Sequence, residues 1–388
     1  MRRITPAEAE RMLADLIAMP SVNPMGRAYE GDAPVERGVT AYMERIFDLP
    51  GVRIERQPVS DAHENLLIRY PAEAEGPALL FESHMDVVPA DDWADRAFAP
   101  RTDGDRIYGR GACDDKGSLT AMALALLDII ESRERPPLPV MLVCAGDEEY
   151  AQTGIKAFRA LPIEVAAGVF GEPTGCAPVV QHKGTLRWDI TVHGRSAHTS
   201  RPELGVNAIY GAMDVIAALK RHQDELQALH PSPLMTGPML TVSMIRGGRT
   251  RNAVPDACTV SLDFRLVPGM DMDAARAGVI ALVGSLGWEV THSELQLRTP
   301  PLATSPEDPF CLQALSICRA HAGPEIEMRG EPYGTDASWI ADRAPAIVLG
   351  PGDIRSAHAV DEYVEISQVV ACAAVYRDIM MWPFPSSG

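Results

Sequence analysis

The first pattern along the chain is helical. Thr5-Pro6-Ala7-Glu8 has the form of a capping box with Pro at the first helical position, and Met12, Leu13, Leu16 and Ile17 follow at helical spacing. A Pro- and Gly-rich stretch over 20–34 interrupts it. Short apolar runs then alternate with helical periodicity: strands are predicted over 78–81, 140–144 and 166–170, and a helix over 119–130. The same texture returns near the far end, with a strand over 346–349 and a closing helix over about 366–381. Such alternation builds an α/β sheet covered by helices.

Between these parts the rhythm changes. A strand over 186–192, a helix over 205–219, strands over 239–245 and 257–266, a helix over 272–286 and a strand over 288–292 follow in turn. That βαββαβ order is the ferredoxin-like unit. The sequence therefore predicts an α/β domain over 1–180 and 297–388, interrupted by an inserted α+β domain over 181–296. The tail from Trp382 to Gly388 is expected to fray.

Composition narrows the partners. Lys and Arg number 35 against 53 Asp and Glu, a formal charge of −18, which repels phosphate backbones and anionic membrane surfaces. No nucleic acid and no membrane partner is expected. No apolar run approaches the roughly 18 residues of a bilayer span, and the N-terminus shows no signal-peptide pattern, so a cytoplasmic location is expected. The seven Cys residues share no recurring spacing, which predicts reduced, mostly buried thiols.

The chemistry lies where the predicted strands end. His84-Met85-Asp86 follows the first run, Gly146-Asp147-Glu148-Glu149 the second and Gly171-Glu172-Pro173 the third, while the last strand leads through Gly350-Pro351-Gly352 to His358. Open α/β sheets bind ligands beyond the carboxyl ends of their strands, so these groups should converge. Asp114-Asp115 sits at a loop-to-helix junction among Gly109, Gly111 and Gly117. Two imidazoles with several carboxylates and no thiolate suit Zn²⁺, Mn²⁺ or Co²⁺. In His84-Met85-Asp86 the carboxylate can accept the other ring N–H of the histidine. Glu148 and Glu149 point different ways on an extended backbone, so one can bind metal while the other serves as general base. Taken singly, each has an ordinary alternative: His-x-Asp as a surface hydrogen bond, Glu-Glu as a solvated loop, Asp-Asp as a helix N-cap.

These segments together resemble the M20 metallopeptidase family, which includes acetylornithine deacetylases, succinyl-diaminopimelate desuccinylases, aminoacylases and glutamate carboxypeptidases. The matching stretches are 83–89, 108–117, 146–149, 171–174, 193–198 and 350–358, in family order along nearly the whole chain. The resemblance implies a zinc-peptidase-like catalytic domain with an inserted dimerisation or lid domain, and two divalent ions, most simply Zn²⁺. Asp114 would bridge them, His84 and Glu172 completing one ion and Glu149 and His358 the other. It further implies Glu148 as general base and acid and Asp86 as the partner of His84. His198 would reach the partner subunit's site in a homodimer to stabilise the oxyanion, and Asn252 and Arg265 would hold a substrate carboxylate. Gly334 and Thr335 fall in the place of a substrate-contacting loop. Without the resemblance, Arg265 reads more simply as a salt bridge to Asp263. Where members of the family often have Met after the bridging Asp, this chain has Asp115.

The implied activity is metal-dependent hydrolysis of the amide of an N-acyl amino acid, a small molecule with a free carboxylate. The stretch 349–363 most resembles that of acetylornithine deacetylase-like members. A dipeptidase or carboxypeptidase of the same family, and a non-catalytic binding protein on the same fold, are the alternatives. His63, His222, His230, His292 and His321 are read as solvated or capping. His182 and Lys183 are either substrate neighbours or a domain junction.

Overall fold

The computed structural model describes residues 4–384, so the last residues of the expected frayed tail, 385–388, lie outside it. The chain divides into two compact units. One comprises the segment up to Val180, Thr304–Arg329 and the segment from Thr335 onward; the other comprises Gln181–Ala303 with Gly330–Gly334. The second unit runs past 296 because the strands Leu297–Thr299 and Leu302–Ala303 still pair with residues that open it.

The first unit begins with the helix Pro6–Ile17, whose capping box is complete: Glu8 N–H donates to the Thr5 hydroxyl, and the Glu8 carboxylate accepts from Thr5 N–H. Its sheet runs in the order Arg53–Pro58, Glu64–Tyr70, Val140–Ala145, Ala78–His84, Val165–Phe170, Ala346–Val348. The first two strands are antiparallel to their neighbours, whereas the last four are mutually parallel. These four are buried on both faces except at the start of Val165–Phe170, as their near-continuous apolar runs anticipate. The antiparallel pair is harder to read from sequence because charged residues alternate through Arg53–Pro58, as suits an edge.

The helices Lys116–Glu131 and Ile366–Met380 pack together over this sheet. Phe81 meets Tyr376 edge to face at 5.7 Å, and Phe47, Phe81 and Phe170 are fully buried. Burial of each such side chain stabilises the fold by about 1.5–3 kcal/mol. Because the four central strands are parallel, their carboxyl ends share one edge, and four of the five metal-capable residues leave the chain there.

The second unit is a sheet in the order Met239–Gly247, Ala257–Leu266, Gly184–His193, Glu289–His292, all antiparallel, with Leu297–Thr299 added beside Gly184–His193. Counted from the first strand, that order is 2-3-1-4, the split βαβ arrangement. Trp188, Phe264, Val192 and Val260 form its core with the helices Ala208–Leu229 and Met272–Gly284. Its edge strand Met239–Gly247 is mostly exposed, and Met239, Met244 and Ile245 face solvent, as do Tyr210 and Met213 of the first helix.

Candidate active site

His84 is the last residue of its strand and is 1% exposed, and Asp114 and Glu172 are each 6% exposed. Asp114 precedes the helix Lys116–Glu131 across a cis peptide to Asp115. Its two carboxylate oxygens face different imidazoles: Oδ1 lies 2.9 Å from His84 Nε2, and Oδ2 lies 3.2 Å from His358 Nε2. His358 is also 3.2 Å from Glu149 Oε2. Ligand atoms of His84, Asp114 and Glu149 lie within 4.8 Å of one another, as do those of His84, Glu148 and Glu172. All five predicted ligands and Glu148 are thus brought together at the strand edge.

The electrostatics are those of a site with surplus negative charge. Burial pushes Glu148 well up, and the charges of Asp336 and Glu149 add to it. Burial and the charge of Asp114 raise both Glu149 and Glu172. Burial alone would raise Asp114 as well, but hydrogen bonds from His358 and His84 outweigh it and hold this carboxyl below the usual carboxylate range. His358 is pushed up to about 11 by Asp114 and Glu149. Burial disfavours charge on His84, yet its hydrogen bond to Asp114 raises it well above an ordinary imidazole. The site therefore favours positive charge at both imidazoles, and a divalent ion fits the same donor set when the imidazoles are neutral. An all N/O set of this kind, with a carboxylate presenting one oxygen to each side, suits paired divalent cations.

The surroundings correct the expected role of Asp86. Its carboxylate does not take the second ring N–H of His84. That proton goes to the Asp86 main-chain carbonyl at 2.9 Å, while the nearest carboxylate oxygen is 3.8 Å away. The carboxylate turns instead to the loop after Val140–Ala145, accepting from Glu148 N–H at 3.1 Å and Glu149 N–H at 3.2 Å. The main-chain carbonyl lies closer to the ring than the carboxylate does, and the carboxylate fixes the two glutamates rather than the histidine.

Four residues with a place in the site carried no predicted role. Glu362 accepts from the main-chain N–H of Cys113 at 2.9 Å and of Asp114 at 3.0 Å, with Arg110 paired against it, and so fixes the backbone of Asp114. It lies four residues past His358, within the stretch 349–363, and that proximity is the signal the sequence offers for it. Asn23 donates to Asp86 Oδ2 at 2.8 Å and to Asp147 Oδ1 at 3.0 Å, although it sits in the Pro/Gly-rich segment that reads as loop. Gln152 donates to Glu148 Oε1 at 3.1 Å. Asp336, beside Thr335, is 1% exposed and supplies the strongest neighbouring charge on Glu148.

Other residues settle into structural places. His63 is buried rather than solvated, hydrogen-bonded to Glu36 at 2.6 Å with Asp147 at 3.5 Å. Thr335 Oγ1 accepts Ala337 N–H at 3.3 Å as the cap of the short helix Asp336–Trp339. Asp115 is buried and accepts from the Ser83 hydroxyl. Gly171 has to be glycine, since a Cβ there would meet Asp115 Oδ2 at 2.3 Å. All seven cysteines are free and buried.

His198, Asn252, Arg265 and Gly334 belong to the second unit. His198 is exposed and its Nδ1 meets the Ser200 hydroxyl at 2.7 Å. Asn252 is exposed too. The Arg265 guanidinium is paired with Asp263 through Nε at 2.6 Å and donates from Nη1 to Thr185 at 3.0 Å, so the salt-bridge reading holds in this structure. Lys183 is buried with its Nζ on Thr236 at 2.9 Å and on the Gly237 carbonyl at 2.7 Å, where it fastens the segment before Met239–Gly247.

Clustered imidazoles and carboxylates at the carboxyl edge of the parallel strands are a donor set of the kind metal-dependent hydrolases use. The model of peptidase family M20/M25/M40 matches residues 80–382, and the chain belongs to this family. It is an M20-type metallohydrolase acting on C–N amide bonds. An acetylornithine deacetylase of Pectobacterium atrosepticum is 33% identical over 327 residues, covering 81% of this chain and 82% of its own. One from Salmonella typhimurium is 29% identical over 377 residues, covering 94% of each. Among solved structures, an M20 family metallo-carboxypeptidase of Sulfolobus solfataricus superposes with a TM-score of 0.77 at 19% identity, covering 97% of this chain and 100% of its own.

Proposed function

We propose that the protein removes the acyl group of an N-acyl amino acid, and that Asp114 bridges two divalent ions, with His84 and Glu172 completing one site and Glu149 and His358 the other. The observation that carries this reading is the division of the Asp114 carboxylate, one oxygen towards each imidazole. Zn²⁺ is the first candidate, and Co²⁺ or Mn²⁺ suit the same donors. Bound there, divalent ions would make a water acidic near neutral pH and polarise the scissile carbonyl.

This chain's own residues do the rest. Glu148 is raised by burial and by Asp336, which suits a carboxylate that takes a proton from water and returns it to the leaving amine. Asp86 holds the main chain of Glu148 and Glu149, so that the two neighbours keep separate tasks. Arg265 and Asn252 anchor the substrate carboxylate. Since the Arg265 fork rests on Asp263, the substrate carboxylate binds by exchange against that pair, which trims the net gain. His198, supplied by a partner subunit, steadies the oxyanion. The open edge of the strand Met239–Gly247, with exposed Tyr210, Met213, Met244 and Ile245, is the kind of apolar surface a homodimer interface would cover. Seven unpaired, buried thiols favour a reducing compartment, the cytoplasm.

The acyl group is assigned as a short one, such as acetyl, from the likeness to the deacetylases. The experiment is a panel of N-acetyl amino acids, their C-terminal amides and matching dipeptides with added Zn²⁺, Co²⁺ or Mn²⁺. Fastest turnover of an N-acetyl amino acid supports the deacylase. Dipeptides turning over fastest would transfer the same site to a dipeptidase, and no turnover with any of them would favour a binding protein on this fold.

A further inference from the structure

The proposed task of Glu148 depends on aim. As a general base it must direct one oxygen at a water proton, within about 2.6–3.2 Å. Its main chain is held by Asp86, but that leaves the side chain free to turn about its own bonds. One of its oxygens is taken: Gln152 Nε2 donates to Glu148 Oε1 at 3.1 Å. Gln152 is 5% exposed and has a positive φ of 54°, and its main-chain N–H donates to Asp147 O at 2.6 Å. The loop is therefore closed on itself, with the amide facing the glutamate.

An amide can present either end, and only its nitrogen helps a carboxylate. Here the choice is made by the indole of Trp339, whose Nε1–H donates to Gln152 Oε1 at 3.0 Å. Indole nitrogen is a donor only, so it selects the carbonyl end of Gln152 and leaves the NH₂ for Glu148. Trp339 is itself held at the end of the short helix Asp336–Trp339, with the Lys156 ammonium 4.5 Å from its ring centre. Lys156 in turn donates to the Ala151 carbonyl at 2.7 Å, inside the same loop.

We propose that Gln152 is a positioning residue for Glu148, oriented by Trp339, so that Glu148 Oε1 is tethered and Oε2 is the oxygen that receives the water proton. This deepens the proposed function, because it rests on Glu148 being the base. The hydrogen bonds run in one sense from indole to amide to carboxylate, and each group has one useful orientation once its neighbour is fixed. A wandering carboxylate costs catalysis, since misplacement by about 1 Å can cost a hundredfold.

The test compares Gln152→Met, which keeps the shape of the side chain without its hydrogen bonds, with Trp339→Phe, which keeps a ring without the donor. Both are measured on the fastest substrate of the panel, with metal content and melting temperature recorded. Gln152→Met is expected to lower kcat by about tenfold to a hundredfold with KM and metal content little changed. Trp339→Phe is expected to lower kcat less, and to add nothing when Gln152 is already Met. Unchanged kcat in Gln152→Met would overturn the inference. So would a loss shared equally by kcat and KM, or additive losses in the double variant. Glu148→Gln serves as reference: if it stays fully active, the base reading falls and this inference with it. An inactive Glu148→Gln beside a fully active Gln152→Met removes the inference alone.

Discussion

The two units treat their polar residues in opposite ways. In the first, carboxylates are gathered and buried until Glu148, Glu149 and Glu172 are all displaced upward, and two imidazoles are held charged to balance them. In the second, the polar candidates are at ease: His198 rests on Ser200, and Arg265 is already paired with Asp263. Stored charge imbalance marks where a cation and a reaction belong. The exposed apolar edge of the second unit marks a place for contact instead. The contrast teaches that the two units carry different kinds of incompleteness, one of buried charge and the other of exposed apolar surface.

The largest expected effect falls on the first unit. Asp114→Ala should lose both ions and all measurable turnover, whereas His358→Ala should weaken mainly one ion, as elemental analysis after desalting would show. If Asp114→Ala kept both ions, the bridging role would be wrong. For the second unit, His198→Ala should lower turnover by about a hundredfold or more, the range for loss of one oxyanion donor. Mixing that chain with Glu148→Gln should restore part of the activity, because one hybrid site then holds both residues. An active species that sediments as a monomer would remove the action across subunits.

A smaller effect is expected at Arg265. Converting the substrate carboxylate to an amide should slow cleavage by roughly 10- to 150-fold, from about 1.5–3 kcal/mol for a hydrogen bond to a charged group. The lower end is expected here because Asp263 stands ready to take the guanidinium back. Arg265→Ala should shrink this preference, and equal rates on acid and amide in the unchanged protein would reject the anchor. The smallest signal is a proton count. His358 is pushed up to about 11 and His84 is raised well above an ordinary imidazole, so the metal-free site favours the protonated form of both. Ligation needs them neutral, so loading with Zn²⁺ should release protons, and apparent affinity should rise with pH up to the raised values. Titration calorimetry in buffers of different ionisation enthalpy reads this directly. No buffer dependence would show that metal displaces no protons from these histidines.

Much of this was legible in the sequence for a physical reason. Buried parallel strands are written as apolar runs, and the topology places the residues just beyond each run at one edge of the sheet. His84, Glu148, Glu149, Glu172 and His358 could therefore be gathered without knowing any distance. The capping box at Thr5 was local and therefore readable. The contacts that escape the sequence join residues far apart in the chain. Glu362 meets Asp114 across 248 residues, and Trp339 meets Gln152 across 187. Asn23 reaches Asp86 across 63 residues from a segment whose composition says only that it is a loop. For Asp86 the spacing was right and the direction wrong, because an i, i+2 pattern does not tell a side-chain acceptor from a main-chain one. His63 differs from its expected solvated place for a similar reason: its partners Glu36 and Asp147 come from two different parts of the chain.

Glu148→Gln is the variant that tests the account most directly, measured for bound metal and for turnover in the same preparation. The substitution keeps the size of the side chain and removes its ability to take a proton. The account predicts that metal content stays at the level of the unchanged protein while turnover of the N-acetyl amino acid falls by at least about a hundredfold. Loss of metal from Glu148→Gln, with Glu149→Gln keeping its metal, would contradict it by exchanging the roles of these neighbours. Full turnover in Glu148→Gln would contradict the mechanism itself.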